Sequence, residues 1–153
     1  MRALLAISWI LASYSASPPP ALRDPDPGST GTQSALEQSA AQFARAWAQK
    51  DAGQLARLAD PGGIRLHLPG EDHLMIRPRQ AQAALQNFLG RYAGGEVEVT
   101  RVSLTSGDPG EGFAELRWTT GSPEVSEPVI FTLFAAYALR AEAWVVTEIR
   151  VLF

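Results

Sequence analysis

Apolar residues recur every three to four positions in the first half of this chain and every second position in the last third, and the changeover marks out its elements. Leu36, Ala40, Phe43, Ala44 and Trp47 form one stripe at helical spacing, with Gln38, Gln42, Arg45 and Gln49 opposite, which predicts a long helix over 33–50. Asp51 followed by Gln54 has the form of a capping box, so a second, short helix starts there. It buries Leu55 and Leu58 and stops at Asp60-Pro61-Gly62-Gly63. Ile64, Leu66 and Leu68 alternate with Arg65 and His67, and a second short strand over 74–76 follows the Pro69-Gly70-Glu71-Asp72 turn. Pro78 suits the first turn of a third helix, whose stripe of Ala81, Leu85, Phe88, Leu89 and Tyr92 ends at Gly94-Gly95.

Four apolar-rich stretches complete the chain, at 96–106, 112–120, 125–139 and 141–153, and their short connections predict an antiparallel meander. Val97 and Val99 share a face, yet the next apolar residues are Val102 and Leu104. That change of phase requires a bulge near Thr100 or Arg101. Residues 129–138 are apolar on both faces, so the sheet is expected to be covered on both sides. Helices account for one side; the other calls for a partner.

The first residues have a different pattern. Arg2, the apolar run from Ala3 to Ala12, and the small residues Ser13-Tyr14-Ser15-Ala16-Ser17 read as an export signal over 1–17, too short to span a bilayer. An ordinary cytosolic N-terminus is the plainer alternative. Residues 18–32 are rich in proline and poor in large apolar groups, and are expected to form a flexible linker. The expected organisation is therefore signal 1–17, linker 18–32 and one domain over 33–153, with the mature protein secreted or periplasmic.

Composition narrows the function classes. With 13 basic and 16 acidic residues the chain carries a formal charge of -3 and no basic cluster, which argues against a nucleic-acid partner. The absence of cysteine removes disulfides, thiolate nucleophiles and zinc-thiolate sites. No cofactor motif is present: Asp108-Pro109-Gly110-Glu111-Gly112 is turn chemistry, with no helix after it to cradle a phosphate.

The stretches FARAWAQKDAGQLARLAD, IRLHLPGEDHLMIRPRQAQAALQNFL and WVVTEIRVLF, in this order, resemble the nuclear-transport-factor-2-like (cystatin-like) superfamily. Within it, the likeness is to an exported bacterial branch known only as a domain of unknown function. The resemblance covers 33–153 and implies an α+β cone: three helices packed on a curved, mostly antiparallel sheet that ends in a long four-strand meander. It carries patterns of hydrophobicity and turns and brings no set of functional residues. In cone-shaped relatives that isomerise or cyclise small molecules, an acid or His in an apolar cavity acts as base.

Candidate chemistry is sparse. Trp47, Phe88, Tyr92, Trp118 and Phe134 either line a cone that accepts a small apolar ligand or close the cone and cover the back of the sheet. Tyr137 is a further hydroxyl in an apolar stripe. His67, Glu115 and Glu148 are the candidate bases, but Glu115 and Arg117 share one strand face and Glu148 and Arg150 another, which also suits cross-strand ion pairs on the sheet back. His67, Glu71, Asp72 and His73 surround one turn without matching a compact metal motif, and no metal is expected. The reading is an exported, non-catalytic, ligand-binding or assembly module that pairs into a homodimer through its sheet back. The alternative is a cofactor-independent isomerase or cyclase.

Overall fold

The computed structural model describes residues 27–106 and 110–153. The export signal, the linker as far as residue 26 and the tip of the turn at Asp108 lie outside the described residues. Three helices, α1 (Pro27–Ala48), α2 (Ala52–Leu58) and α3 (Pro78–Gly90), accompany six strands. The strands are β1 (Ile64–Leu68), β2 (Glu71–Ile76), β3 (Gly95–Leu104), β4 (Glu111–Ser122), β5 (Val125–Arg140) and β6 (Ala143–Leu152). Among the described residues no helix is long and apolar enough to cross a membrane.

Helix α1 starts at Pro27, six residues before the expected start at Gln33, so 27–32 are helix and not linker. Proline fits the first helical turn because its missing N–H would have no partner there. The turns after it are exposed or half-buried, so no apolar residue marks them, and the Thr32 hydroxyl donates back to the Gly28 carbonyl at 3.0 Å. Asp51 caps α2, its carboxylate accepting from the Gln54 N–H at 2.8 Å.

All six strands form one sheet in the order β2-β1-β6-β5-β4-β3. The meander β3 to β6 is antiparallel throughout, β1 lies parallel to β6, and β2 folds back on β1. The hairpin is tighter than the sequence pattern indicates: Leu68 already faces Glu71 across a two-residue turn, and Gly70 supplies its positive φ of 84°. The bulge in β3 falls between Val99 and Arg101, and it keeps Val97, Val99, Val102 and Leu104 against the core. A bulge lets the sheet bend around α1 and α3.

The core lies between that concave face and the helices. Trp47, Phe43, Phe88, Trp118 and Phe131 are fully buried there, with Leu36, Leu55, Leu66, Leu85 and Leu116. Two hydrogen bonds tie the exit of α3 to the sheet: the Thr120 hydroxyl donates to the Ala93 carbonyl and the Ala93 N–H to the Gly121 carbonyl, each at 2.9 Å. Lys50 ties it to α1, its ammonium donating to the Tyr92 carbonyl at 2.6 Å. Gly95 enters β3 so close to β4 that a Cβ there would collide with the Thr119 carbonyl.

Between β5 and β6 the chain reverses through Ala141 and Glu142, both left-handed with φ of 47° and 67°. Such two-residue turns favour glycine and asparagine, because a Cβ meets the following carbonyl. Glu142→Gly is therefore expected to raise stability by about 1 kcal/mol, read as a higher urea midpoint at unchanged slope. A lower midpoint would show that the turn is held by something other than its dihedral angles.

Candidate functional site

Alternation along the strands gives the sheet two faces of different chemistry. On the concave side, α1 presents Trp47, α3 presents Phe88, the turn after α3 presents Tyr92, β4 presents Trp118 and β5 presents Phe131. Their rings are in mutual contact: Trp118 lies 5.7 Å from Trp47, 6.1 Å from Phe88, 5.2 Å from Tyr92 and 5.1 Å from Phe131 between centroids. Most of these pairs meet edge to face or tilted, as ring quadrupoles favour. Four of the five aromatic candidates thus converge, and three of them are at most 1% exposed. Tyr92 is half-buried at the rim. Beside it a recess of about 400 Å³ opens between Arg91, Ala93, Gly121 and Pro123.

Phe134 does not join them. It is one residue out of phase with Leu133 and Ala135, which are fully buried, so it projects from the outer face of the sheet. Phe131, its neighbour on the concave side, takes the place among the core rings. The pairing of Phe131 with Trp118 marks that place, but it is a long-range register and leaves no local trace in the sequence.

The outer face is an ordered lattice of charge around Phe134. From β2 to β3, one row reads Asp72, His67, Arg150, Phe134, Glu115 and Arg101. The next reads Arg65, Glu148, Ala136, Phe113 and Ser103. Glu148 gathers three cationic or ionisable neighbours: Arg150 at 2.7 Å, Arg65 at 3.7 Å and the His67 Nε2 at 3.7 Å. The other ring nitrogen of His67 lies 3.0 Å from Asp72, so carboxylates hold the imidazole on both sides. Arg101 sits over the Phe113 ring, 5.2 Å from its centroid. Phe113, Phe134, Ala136 and Leu152 line an apolar groove of about 390 Å³, with Glu148 and Arg150 on its β6 side.

All three candidate bases, His67, Glu115 and Glu148, therefore lie outside the cone, back to back with the apolar core. The expected cross-strand pairs between Glu115 and Arg117 on β4 and Glu148 and Arg150 on β6 do not form, because β5 lies between the two strands; Glu148 pairs instead with Arg150 in its own strand and with Arg65 on β1. Glu115 makes none with Arg117: among the described residues its carboxylate has no ion-pair partner. The four residues of the β1–β2 turn separate by face. His67 and Asp72 are on the outer side, while Glu71 lies 3.8 Å from His73 and 3.6 Å from Arg91 on the other.

The core holds buried polar atoms without a hydrogen-bond partner among the described residues: the Trp47 and Trp144 indole N–H groups and the Tyr137 hydroxyl. Tyr137 is 3% exposed, and its hydroxyl finds no hydrogen bond. Desolvation disfavours the phenolate and holds the group well above its ordinary pKa.

No protein-family model matches the chain, and no curated protein matches it in sequence. Solved structures match it in fold. A ketosteroid isomerase-like protein from Erwinia carotovora atroseptica superposes with a TM-score of 0.64 at 14% identity, over 78% of this chain and 93% of the other. A DUF4783 family protein from Bacteroides ovatus gives 0.60 at 14%, over 72% and 91%. A protein of ketosteroid isomerase-like fold from Catenulispora acidiphila, in complex with trimethylamine, gives 0.60 at 13%, over 76% and 85%. The chain has the nuclear-transport-factor-2-like cone fold, shared with ketosteroid isomerase-like proteins and with a family of unknown function. At these identities the likeness is one of fold.

Tyr137 gives a pH-dependent prediction. The folded state holds the phenolic proton more tightly than the unfolded chain, so this group leaves stability unchanged below pH 10 and lowers it as pH rises beyond. Tyr137→Phe is expected to match or exceed the parent by about 1 kcal/mol at neutral pH, since it removes a buried unpaired hydroxyl. It should also flatten the loss of stability above about pH 10 in urea titrations. Destabilisation at neutral pH would reveal a partner for the hydroxyl.

Proposed function

We propose that this chain is an exported, non-catalytic cone-fold module that acts in the secreted or periplasmic space by association through the outer face of its sheet, a second copy being the partner. One observation carries the reading: the concave side is filled by interlocked aromatic rings, while the ionisable side chains and a half-buried apolar strip share the opposite face. A base serving a substrate in the cone must point into it, and His67, Glu115 and Glu148 point away. The likeness to ketosteroid isomerase-like proteins is one of fold.

The apolar strip explains the two-sided character of β5. Phe134 and Ala136 are half-buried, and Ile130 and Leu152 are 51% and 44% exposed. Flanked by charges of both signs, they make a surface suited to an interface: an apolar centre inside a polar rim. The Ala3 to Ala12 run and the small residues after it support export.

A small apolar ligand is the second form of the reading. It is favoured by the recess beside Tyr92, whose ring touches both Trp118 and Phe131. Trp47, Phe88, Tyr92 and Trp118 would then respond together, and Phe134 would not.

Sedimentation velocity over a concentration series tests the association. The purified chain is expected to dimerise reversibly, and Phe134→Lys to weaken the dimer by about 30-fold or more while the far-ultraviolet circular dichroism stays unchanged. A chain that remains monomeric up to about 100 µM, where even weak specific dimers form, would contradict the reading.

A further inference from the structure

We infer that the dimer is built on a two-fold axis that runs along β5 over Phe134, so that Glu115 of each copy pairs with the partner's Arg150. This rests on the association proposed above and fixes its geometry. Two sheets packed face to face lie about 10 Å apart, so outward side chains from both meet midway. A dyad between them can run along the strands or across them. The charges of the row through Phe134 distinguish the two.

In that row Glu115 on β4 stands on one side of Phe134 and Arg150 on β6 on the other, each one strand away. A dyad along β5 exchanges the two sides and keeps the row, so β4 of one copy covers β6 of the other. Each carboxylate then meets a guanidinium, twice over by symmetry, with the Phe134 rings stacked at the centre. A dyad across the strands keeps each strand over its own copy, so Glu115 meets the partner's Glu115 and Arg150 the partner's Arg150. Like charges held face to face at a desolvating surface are strongly disfavoured.

The local bonding agrees with the first arrangement. Glu115 is half-buried and has no ion-pair partner among the described residues, whereas the other outer-face carboxylates near the groove, Glu148 and Asp72, are engaged within the chain. Arg150 is 50% exposed and spends one of its N–H groups on Glu148 at 2.7 Å, so its remaining donors are free to meet a second carboxylate. Ala136, on the axis in the next row, is small enough to let the two sheets approach.

Charge reversal of each partner tests the register. Glu115→Arg alone sets cation against cation at both symmetric contacts, and Arg150→Glu alone sets anion against anion. Each is expected to weaken the dimer by about 100-fold. Mixed in equal amounts, the two variants are complementary at both contacts, and native mass spectrometry should show the heterodimer returning to within about tenfold of the parent affinity. If either single variant dimerises as the parent does, or if the mixture fails to pair, the register is wrong while the association stands. A parent chain that is itself monomeric removes both.

Discussion

Trp118 is the contact on which the rest of this structure depends. It stands in the middle of β4 and touches rings from α1, from α3 and its exit turn, and from β5, so one side chain joins both layers of the fold. A tryptophan buried to this extent removes on the order of 200 Å² from water, and its shape demands that the sheet curve around it. The bulge in β3, the close approach of Gly95 and the tether from Lys50 to the Tyr92 carbonyl all serve that curvature. Packed in this way, the concave side gives its rings to the core.

The other face inherits what the core refuses. Strict alternation sends Glu115, Arg117, Glu148, Arg150, His67 and Arg65 outward, where neighbouring strands set them in rows. Arg65, Arg117 and Arg150 are the exposed members of the set, so an ion pair with any of them contributes at most about 1 kcal/mol to folding. Their order matters more than their strength: a pattern of alternating sign around an apolar centre adds little to the monomer and, in the association proposed above, would set how the second copy is received.

Element order, the position of the β3 bulge and the Asp51 cap were legible in the sequence because each leaves a local signature: a period, a break in period, a capping pair. The first turns of α1 were not, because residues 30–35 bury no large apolar side chain of their own. The β5–β6 turn was located, but its left-handed Ala141 and Glu142 carry none of the usual turn residues. Phe134 was grouped with the candidate cone rings because β5 is apolar at both odd and even positions, and a two-sided strand does not say which side is in. His67, Glu115 and Glu148 were placed correctly on the sheet back by alternation with Leu66, Ala114, Leu116 and Ile149, and it was only the idea of a base inside the cone that competed with that. The freedom of Glu115 from any ion pair had no sequence signal at all, since Arg117 and Arg101 are both close along the strands.

The central claim is that the sheet back is the working surface and the cone interior is structural. It is tested most directly by fluorine NMR of the chain with fluorophenylalanine at its six phenylalanines. The account predicts that the Phe113 and Phe134 resonances shift as concentration rises, while those of Phe43, Phe88 and Phe131 stay fixed against both concentration and added benzene. Movement of the Phe88 and Phe131 signals with benzene, with Phe134 indifferent to concentration, would place the function inside the cone and contradict the account.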